Sequence, residues 1–229
     1  MTSIGLDPVE KKPLARFRPG STVLSLGSYG CNLRCPFCQN ADIACAGAED
    51  AAWRYVAPEE AVGLALRARD RGCVGVAYTY NEPLVGYEYV RDVGRLASEA
   101  GLANVLVSNG MVNEEPLAEL LGIVDAANID LKGFTQGFYD TAGGDLSAVK
   151  RTIETLAADP TCHLEVTTLV IPGLNDDPDE IDAAAAWLAS LDLAIPYHLT
   201  RFFPCHRMLD RPQPPCPRSM RWRMWRIAT

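Results

Sequence analysis

Three cysteines stand four and seven positions apart in Gly30-Cys31-Asn32-Leu33-Arg34-Cys35-Pro36-Phe37-Cys38-Gln39-Asn40. With eight cysteines in 229 residues, a chance triple at those offsets should arise roughly once in 150 such chains, so the spacing points to metal chemistry. A structural zinc site closes a tetrahedron with four ligands, and no second C-x-x-C pair exists to complete one. A cubane iron-sulfur cluster takes one thiolate per iron for full ligation. Three thiolates leave one iron open to an outside ligand. The competing reading is a redox loop or an adventitious metal loop. Cys45, Cys73, Cys162, Cys205 and Cys216 are scattered singletons and read as buried or incidental thiols.

Such a loop needs a scaffold. Six short β-rich runs alternate with helical patterns: Val23–Leu26, Val74–Tyr78, Asn104–Val107, Ala127–Asp130, Leu164–Val170 and Tyr197–Thr200. Most are apolar on both faces, as strands of a covered parallel sheet are. Between them, apolar residues recur at helical spacing, in Val62 and Leu66, in Val90, Val93, Leu96 and Ala97, and in Leu117, Leu120 and Leu121. The same spacing recurs in Val149, Ile153 and Leu156, and in Ile181, Ala185 and Leu188. Eight βα units make a closed barrel of about 250 residues. Six units predict a single-domain α/β fold, a partial (β/α)6 TIM-like barrel with a wide mouth. The thiols directly follow the first run, at a strand's C-terminal end, where barrels carry their chemistry. Residues 1–20 read as a lead-in, 21–210 as the barrel and 211–229 as an atypical basic tail.

The net charge of −8 leaves no basic face suited to nucleic acid. No 18-residue apolar run suggests a membrane span, and the first eight residues lack the features of a secretory signal. A cytoplasmic location is expected, with reduced cysteines.

The loop, C-x-x-x-C-x-x-C with an aromatic residue before its last cysteine, resembles the defining motif of the radical S-adenosylmethionine (SAM) superfamily. The resemblance implies a 4Fe-4S cluster on Cys31, Cys35 and Cys38. It also implies that SAM's methionine end chelates the open iron and that reductive cleavage yields a 5′-deoxyadenosyl radical. Phe37 would lie beside the adenine. Tyr80-Asn81-Glu82-Pro83 resembles the Gly-Gly-Glu-Pro element that binds the SAM ammonium, with Tyr80 and Asn81 in place of the glycines. Asn81 and Glu82 are therefore candidate SAM contacts, and the other reading of Glu82 is a cap on the helix after Pro83. Ser108 and Asn109 could meet the ribose hydroxyls or form an ordinary turn. Asp130 and Lys132 point the same way along a strand and could face SAM's zwitterionic end, or pair at the surface. Val170 to Asp176 resembles the adenine-contacting loop. His198 and Arg201 leave the last strand toward Pro204-Cys205-His206, and His206 matches the Pro-x-His position of glycyl-radical-enzyme activases.

Further stretches resemble the radical SAM enzymes of the AmmeMemoRadiSam system, a branch similar to pyruvate formate-lyase activating enzymes. They are Ser3–Pro8 with Glu10–Leu14, Cys38–Asn40, Asn128–Phe134, Val166–Gly173 and Arg201–Pro204. The resemblance implies a flavodoxin- or ferredoxin-type electron donor and a protein substrate whose glycine loses a hydrogen atom. Radical modification of another protein or a small molecule is the rival within the class. A non-catalytic iron-sulfur electron carrier is the rival outside it. The tail carries five arginines and no acidic residue, with Arg interleaved among large apolar groups. Such a pattern buries charge whichever face packs inward, so it reads as a truncated or frame-shifted end of the gene.

Overall fold

Each of the six apolar runs forms a strand, and a seventh precedes them. The structure, a computed structural model, describes residues 1–214. The strands are β1 (Ser3–Pro8), β2 (Thr22–Gly27), β3 (Cys73–Tyr78), β4 (Ala103–Ser108), β5 (Ala126–Asp130), β6 (His163–Val170) and β7 (Tyr197–Arg201). They form one sheet in sequence order, with β1 antiparallel to β2 and every later pair parallel. The helices are α1 (Ala41–Ala44), α2 (Pro58–Arg67), α3 (Tyr87–Glu99), α4 (Glu114–Leu120), α5 (Gln136–Ala142), α6 (Leu146–Ala158) and α7 (Pro178–Leu191). This is the partial TIM-like barrel that the alternation of elements predicts.

Period-two alternation divides the strand residues between two layers. Leu24, Leu26, Val76, Tyr78, Leu106, Ala127, Ile129, Leu164 and Val166 pack under the helices with Val93, Ala97, Leu120, Ile153 and Leu188. Val23, Ala77, Val105 and Ala126 face the other way, where Val9 and Leu14 cover them. Local chemistry ends the helices as expected. Gly72 and Gly101, at φ +79° and +67°, take the left-handed conformation that stops the chain from continuing as helix. Asp145 and Asp177 accept backbone N–H groups at the starts of α6 and α7.

Strand β1 lies inside the segment read as a lead-in. Ile4 and Leu6 pack on the helix-covered layer, while Asp7 turns to the inner face. The chain then crosses the N-terminal end of the barrel, where Glu165, with a fully buried side chain, holds it. Its carboxylate accepts the backbone N–H groups of Ala15 at 2.9 Å and Arg16 at 2.8 Å, and pairs with His163 and His198. His198 therefore belongs to this clamp. A small cavity lined by Arg16, Cys162, His163 and Ile195 lies here and touches none of the predicted site residues.

Among the described residues no helix is long and apolar enough to cross a membrane. Residues 215–229, most of the basic tail, lie outside the described residues. The stretch before them remains attached to the barrel: Arg211 donates to the Pro172 carbonyl, and Arg201 donates to the Pro214 carbonyl and the Gln213 side chain.

Candidate iron-sulfur and SAM site

The cysteine loop leaves β2 at Gly27 and ends at α1. Leu33 and Phe37 anchor it in a second apolar cluster with Phe138, Ala142, Ile171 and Phe202, against which Cys31, Cys38 and Cys205 also pack. Backbone bonds fasten it from several sides. Arg34 N–H donates to the Ala142 carbonyl at 2.7 Å, Gly30 N–H to Ile43 at 2.9 Å, and Arg207 N–H to Pro36 at 3.0 Å. The Cys205 thiol donates to the Phe37 carbonyl. Cys35 is 9% exposed, and Cys31 and Cys38 are half-buried.

Burial pushes all three thiols above their ordinary pKa, Cys35 to about 11. The Lys132 ammonium opposes the rise at each of them, which places a cation beside the trio. Among the described residues no three His, Cys, Asp or Glu side chains gather as ligands of a single metal ion would. Thiolates of a cubane bind three different irons and stand farther apart than ligands sharing one ion. Three thiols on one loop beside a lysine, with no set of single-ion ligands among the described residues, fit a cluster better than a zinc ion.

Lys132 follows β5. Its Nζ lies 2.7 Å from Asp130 Oδ2, and burial works against its charge, but Asp130 and the nearby Cys35 hold its pKa above the usual lysine value. The buried Asn175 side chain donates to the Lys132 carbonyl at 2.8 Å and the Leu169 carbonyl at 2.9 Å, and accepts the Ile171 N–H at 2.7 Å. The loop after β6 is thereby tied to β5.

Glu82 is 2% exposed. Its carboxylate accepts the Leu84 N–H at 2.9 Å, the Ser108 hydroxyl at 2.8 Å and the Asn109 N–H at 2.7 Å. Burial raises its pKa, and these bonds with Lys132 counter the rise. The helix-capping geometry is present, and it extends to the end of β4. Asn81 fastens loops: its side chain accepts the Ser28 N–H and donates to the Ser28 hydroxyl and the Gly30 carbonyl. Ser108 is buried on Glu82, and the Asn109 side chain reaches Asn32 and Cys31. Phe37, 3% exposed, packs on Phe138 with ring centroids 5.8 Å apart. His206 sits half-buried at φ +49° in the turn bridged by Cys205 and Met208, next to the cysteine loop. The barrel's C-terminal end thus gathers the predicted residues other than His198, which lies in the clamp at the opposite end, with Phe37 turned into the apolar cluster.

Sequence reasoning missed one group. Tyr80, at φ +75°, lays its ring over Gly27, where an added Cβ would come within 2.8 Å of the ring. Its hydroxyl bonds to Asp7, which also pairs with Lys11 and the buried Lys12, both at 2.8 Å. Lys12 Nζ stands 4.5 Å from the Tyr80 ring centroid. In the sequence, Asp7, Lys11 and Lys12 stood only within the stretches that carry the family resemblance, with no role of their own.

Comparison with known proteins agrees with this fold. The family model described as the radical SAM superfamily matches residues 26–187. The chain is 38% identical over 214 residues to an uncharacterized protein of Methanocaldococcus jannaschii, covering 93% of this chain and 62% of that one. It is 26% identical over 157 residues to the pyruvate formate-lyase 1-activating enzyme of Escherichia coli K12, covering 66% of this chain and 61% of that enzyme. The chain thus spans less than two thirds of these relatives. Among solved structures, SuiB of Streptococcus suis bound to SAM has a similar fold, with a TM-score of 0.63 at 11% identity over 83% of this chain and 44% of that one. With the fold, the three-cysteine loop and the family match in agreement, the chain belongs to the radical SAM superfamily, whose enzymes use a 4Fe-4S cluster and SAM.

Proposed function

We propose that this chain cleaves SAM reductively at a 4Fe-4S cluster held by Cys31, Cys35 and Cys38, in the activase-like branch that includes the AmmeMemoRadiSam enzymes. The observation that carries the reading is the placement of three free thiols on one loop at the end of β2, within electrostatic reach of Lys132 at the end of β5. The bound cluster supplies one electron and an open iron for the methionine end of SAM. The protein's part is positional. The three thiols lose their protons to become ligands, while Leu33, Phe37 and Phe138 keep water from one side of the loop. Lys132 and Asp130 offer opposite charges to the amino and carboxylate groups of SAM, and charge-assisted bonds of this kind are the strong ones. His206 borders the same loop and is assigned to the SAM side. Glu82 and Asn81 hold the surrounding loops in register.

The radical acceptor is assigned to a glycine of a partner protein, with support from the similarity to the activating enzyme. The electron is assigned to a flavodoxin- or ferredoxin-type donor. Free cysteines and an iron-sulfur site suit the reducing cytoplasm. Residues 21–210 are assigned to the catalytic barrel, which Arg211, Gln213 and Pro214 brace, and residues 215–229 to a dispensable tail.

Anaerobically reconstituted protein, given SAM and a strong reductant with no partner, tests the reading. It should release 5′-deoxyadenosine and methionine. Full cluster retention in Cys35→Ala, or intact SAM with a reduced cluster, would remove it.

A further inference from the structure

The side-chain polar atoms of Asn109 and its backbone N–H all have partners within the protein. Its Oδ1 accepts the Met111 N–H at 2.7 Å, which fixes which end of the amide is oxygen. The Nδ2 end therefore faces the cysteine loop. One of its two N–H bonds has Asn32 Oδ1 at 2.8 Å and the other has Cys31 Sγ at 3.6 Å, an ordinary separation for the larger sulfur atom. The Asn109 backbone N–H donates to the buried Glu82 carboxylate at 2.7 Å. Asn32 returns a bond to the Met111 carbonyl, so the two loops are fastened in both directions. The Leu33 N–H is a second donor to the same sulfur, at 3.4 Å. Cys31 thus carries both a backbone and a side-chain donor.

We propose that Asn109 is a positioning residue that tunes the iron-sulfur site. It donates an N–H to the Cys31 sulfur and raises the reduction potential of the cluster bound there, with Glu82 as the buried strut that holds it in place. This rests on the function proposed above. A hydrogen bond to a ligand sulfur draws electron density from the thiolate and favours the reduced, more negative cluster. Such bonds are among the levers that set cluster potentials. The bond strengthens when the thiol becomes a thiolate, because its acceptor is then charged.

The test is an electron paramagnetic resonance redox titration of reconstituted, SAM-free protein, with iron content measured alongside. Asn109→Leu should keep its iron and shift the midpoint potential downward. Asn32→Ala breaks the loop fastening but leaves the N–H···S bond, so its potential should stay at the wild-type value. An unshifted Asn109→Leu, or an equal shift in both variants, would overturn the inference while leaving SAM cleavage untouched. Should Asn109→Leu fail to hold a cluster, wild-type protein carrying 15N-asparagine supplies the answer. Its reduced cluster should show a nitrogen coupling that Asn32→Ala retains, and absence of that coupling would equally overturn the inference. Failure of the wild-type chain to take up any 4Fe-4S cluster would instead defeat the proposed function and this inference with it.

Discussion

The Glu82 carboxylate joins the loop after β3 to the end of β4, accepting the backbone N–H of Asn109 at 2.7 Å while it also binds the Ser108 hydroxyl. An acid expected to contact SAM is thus a buried strut between two loops of the site. Glu82→Gln turns an amide N–H toward groups that already donate. Leaving one buried donor unsatisfied costs about 1–3 kcal/mol, so cluster-free Glu82→Gln should lose about that much stability in denaturant unfolding. SAM affinity should fall as well. A loss of affinity with unchanged unfolding would make Glu82 a direct ligand rather than a strut.

Removing Cys31, Cys35 or Cys38 should abolish iron binding, since each supplies a bond that no neighbour can replace. Cys73→Ala and Cys162→Ala should retain the cluster. Cys73 is buried in the helix-covered layer, and burial pushes the Cys162 thiol up to about 12. Cys205→Ser should keep full iron, because its thiol only braces the Phe37 carbonyl. Iron analysis and visible absorption of the six variants decide this.

The pair at the end of β5 should act at the SAM step. Lys132→Met and Asp130→Asn each remove one partner of a 2.7 Å ion pair. Each should weaken SAM binding by roughly tenfold to a hundredfold, the equivalent of about 1.5–3 kcal/mol for a charge-assisted bond. Isothermal titration of reconstituted, unreduced variants measures it, and wild-type affinity in both would leave the pair a surface feature.

The clamp at the opposite end predicts a pH dependence. Burial opposes the Glu165 carboxylate, but the Ala15 and Arg16 N–H groups and the His163 and His198 side chains hold its pKa below the ordinary value. Because the folded pKa is depressed, the stabilisation is complete above the unfolded value of about 4.3. It is lost as pH falls through the folded pKa. Glu165→Gln should be about 1–3 kcal/mol less stable than wild type at neutral pH, and the gap should shrink in acid below about pH 4. A gap that does not change with pH would show that burial alone accounts for the clamp.

Ending the chain after Pro214 should preserve iron content and SAM cleavage, since every assigned ligand precedes that point. A cut before Arg211 should cost stability, because it removes the Arg211, Gln213 and Pro214 contacts. Equal behaviour of the two truncations would show those contacts to be incidental.

By itself the sequence determined the parts whose information is local. Six strands were legible because their apolar runs and the helices between them repeat at fixed periods. The candidate cysteine loop was legible because Cys31, Cys35 and Cys38 lie within eight residues on a single turn of chain. Strand β1 was not, since Gly5 and Pro8 are poor strand residues and its pairing to β2 closes across an intervening loop. Tertiary structure alone decided what the polar residues do. Glu82 meets Asn109 from 27 positions away and Glu165 meets Ala15 from 150 positions away, and Asn175 reaches Lys132 only because β5 and β6 pair in register. A carboxylate's type states that it must find donors when buried. Which donors it finds depends on the strands that the sheet sets beside it.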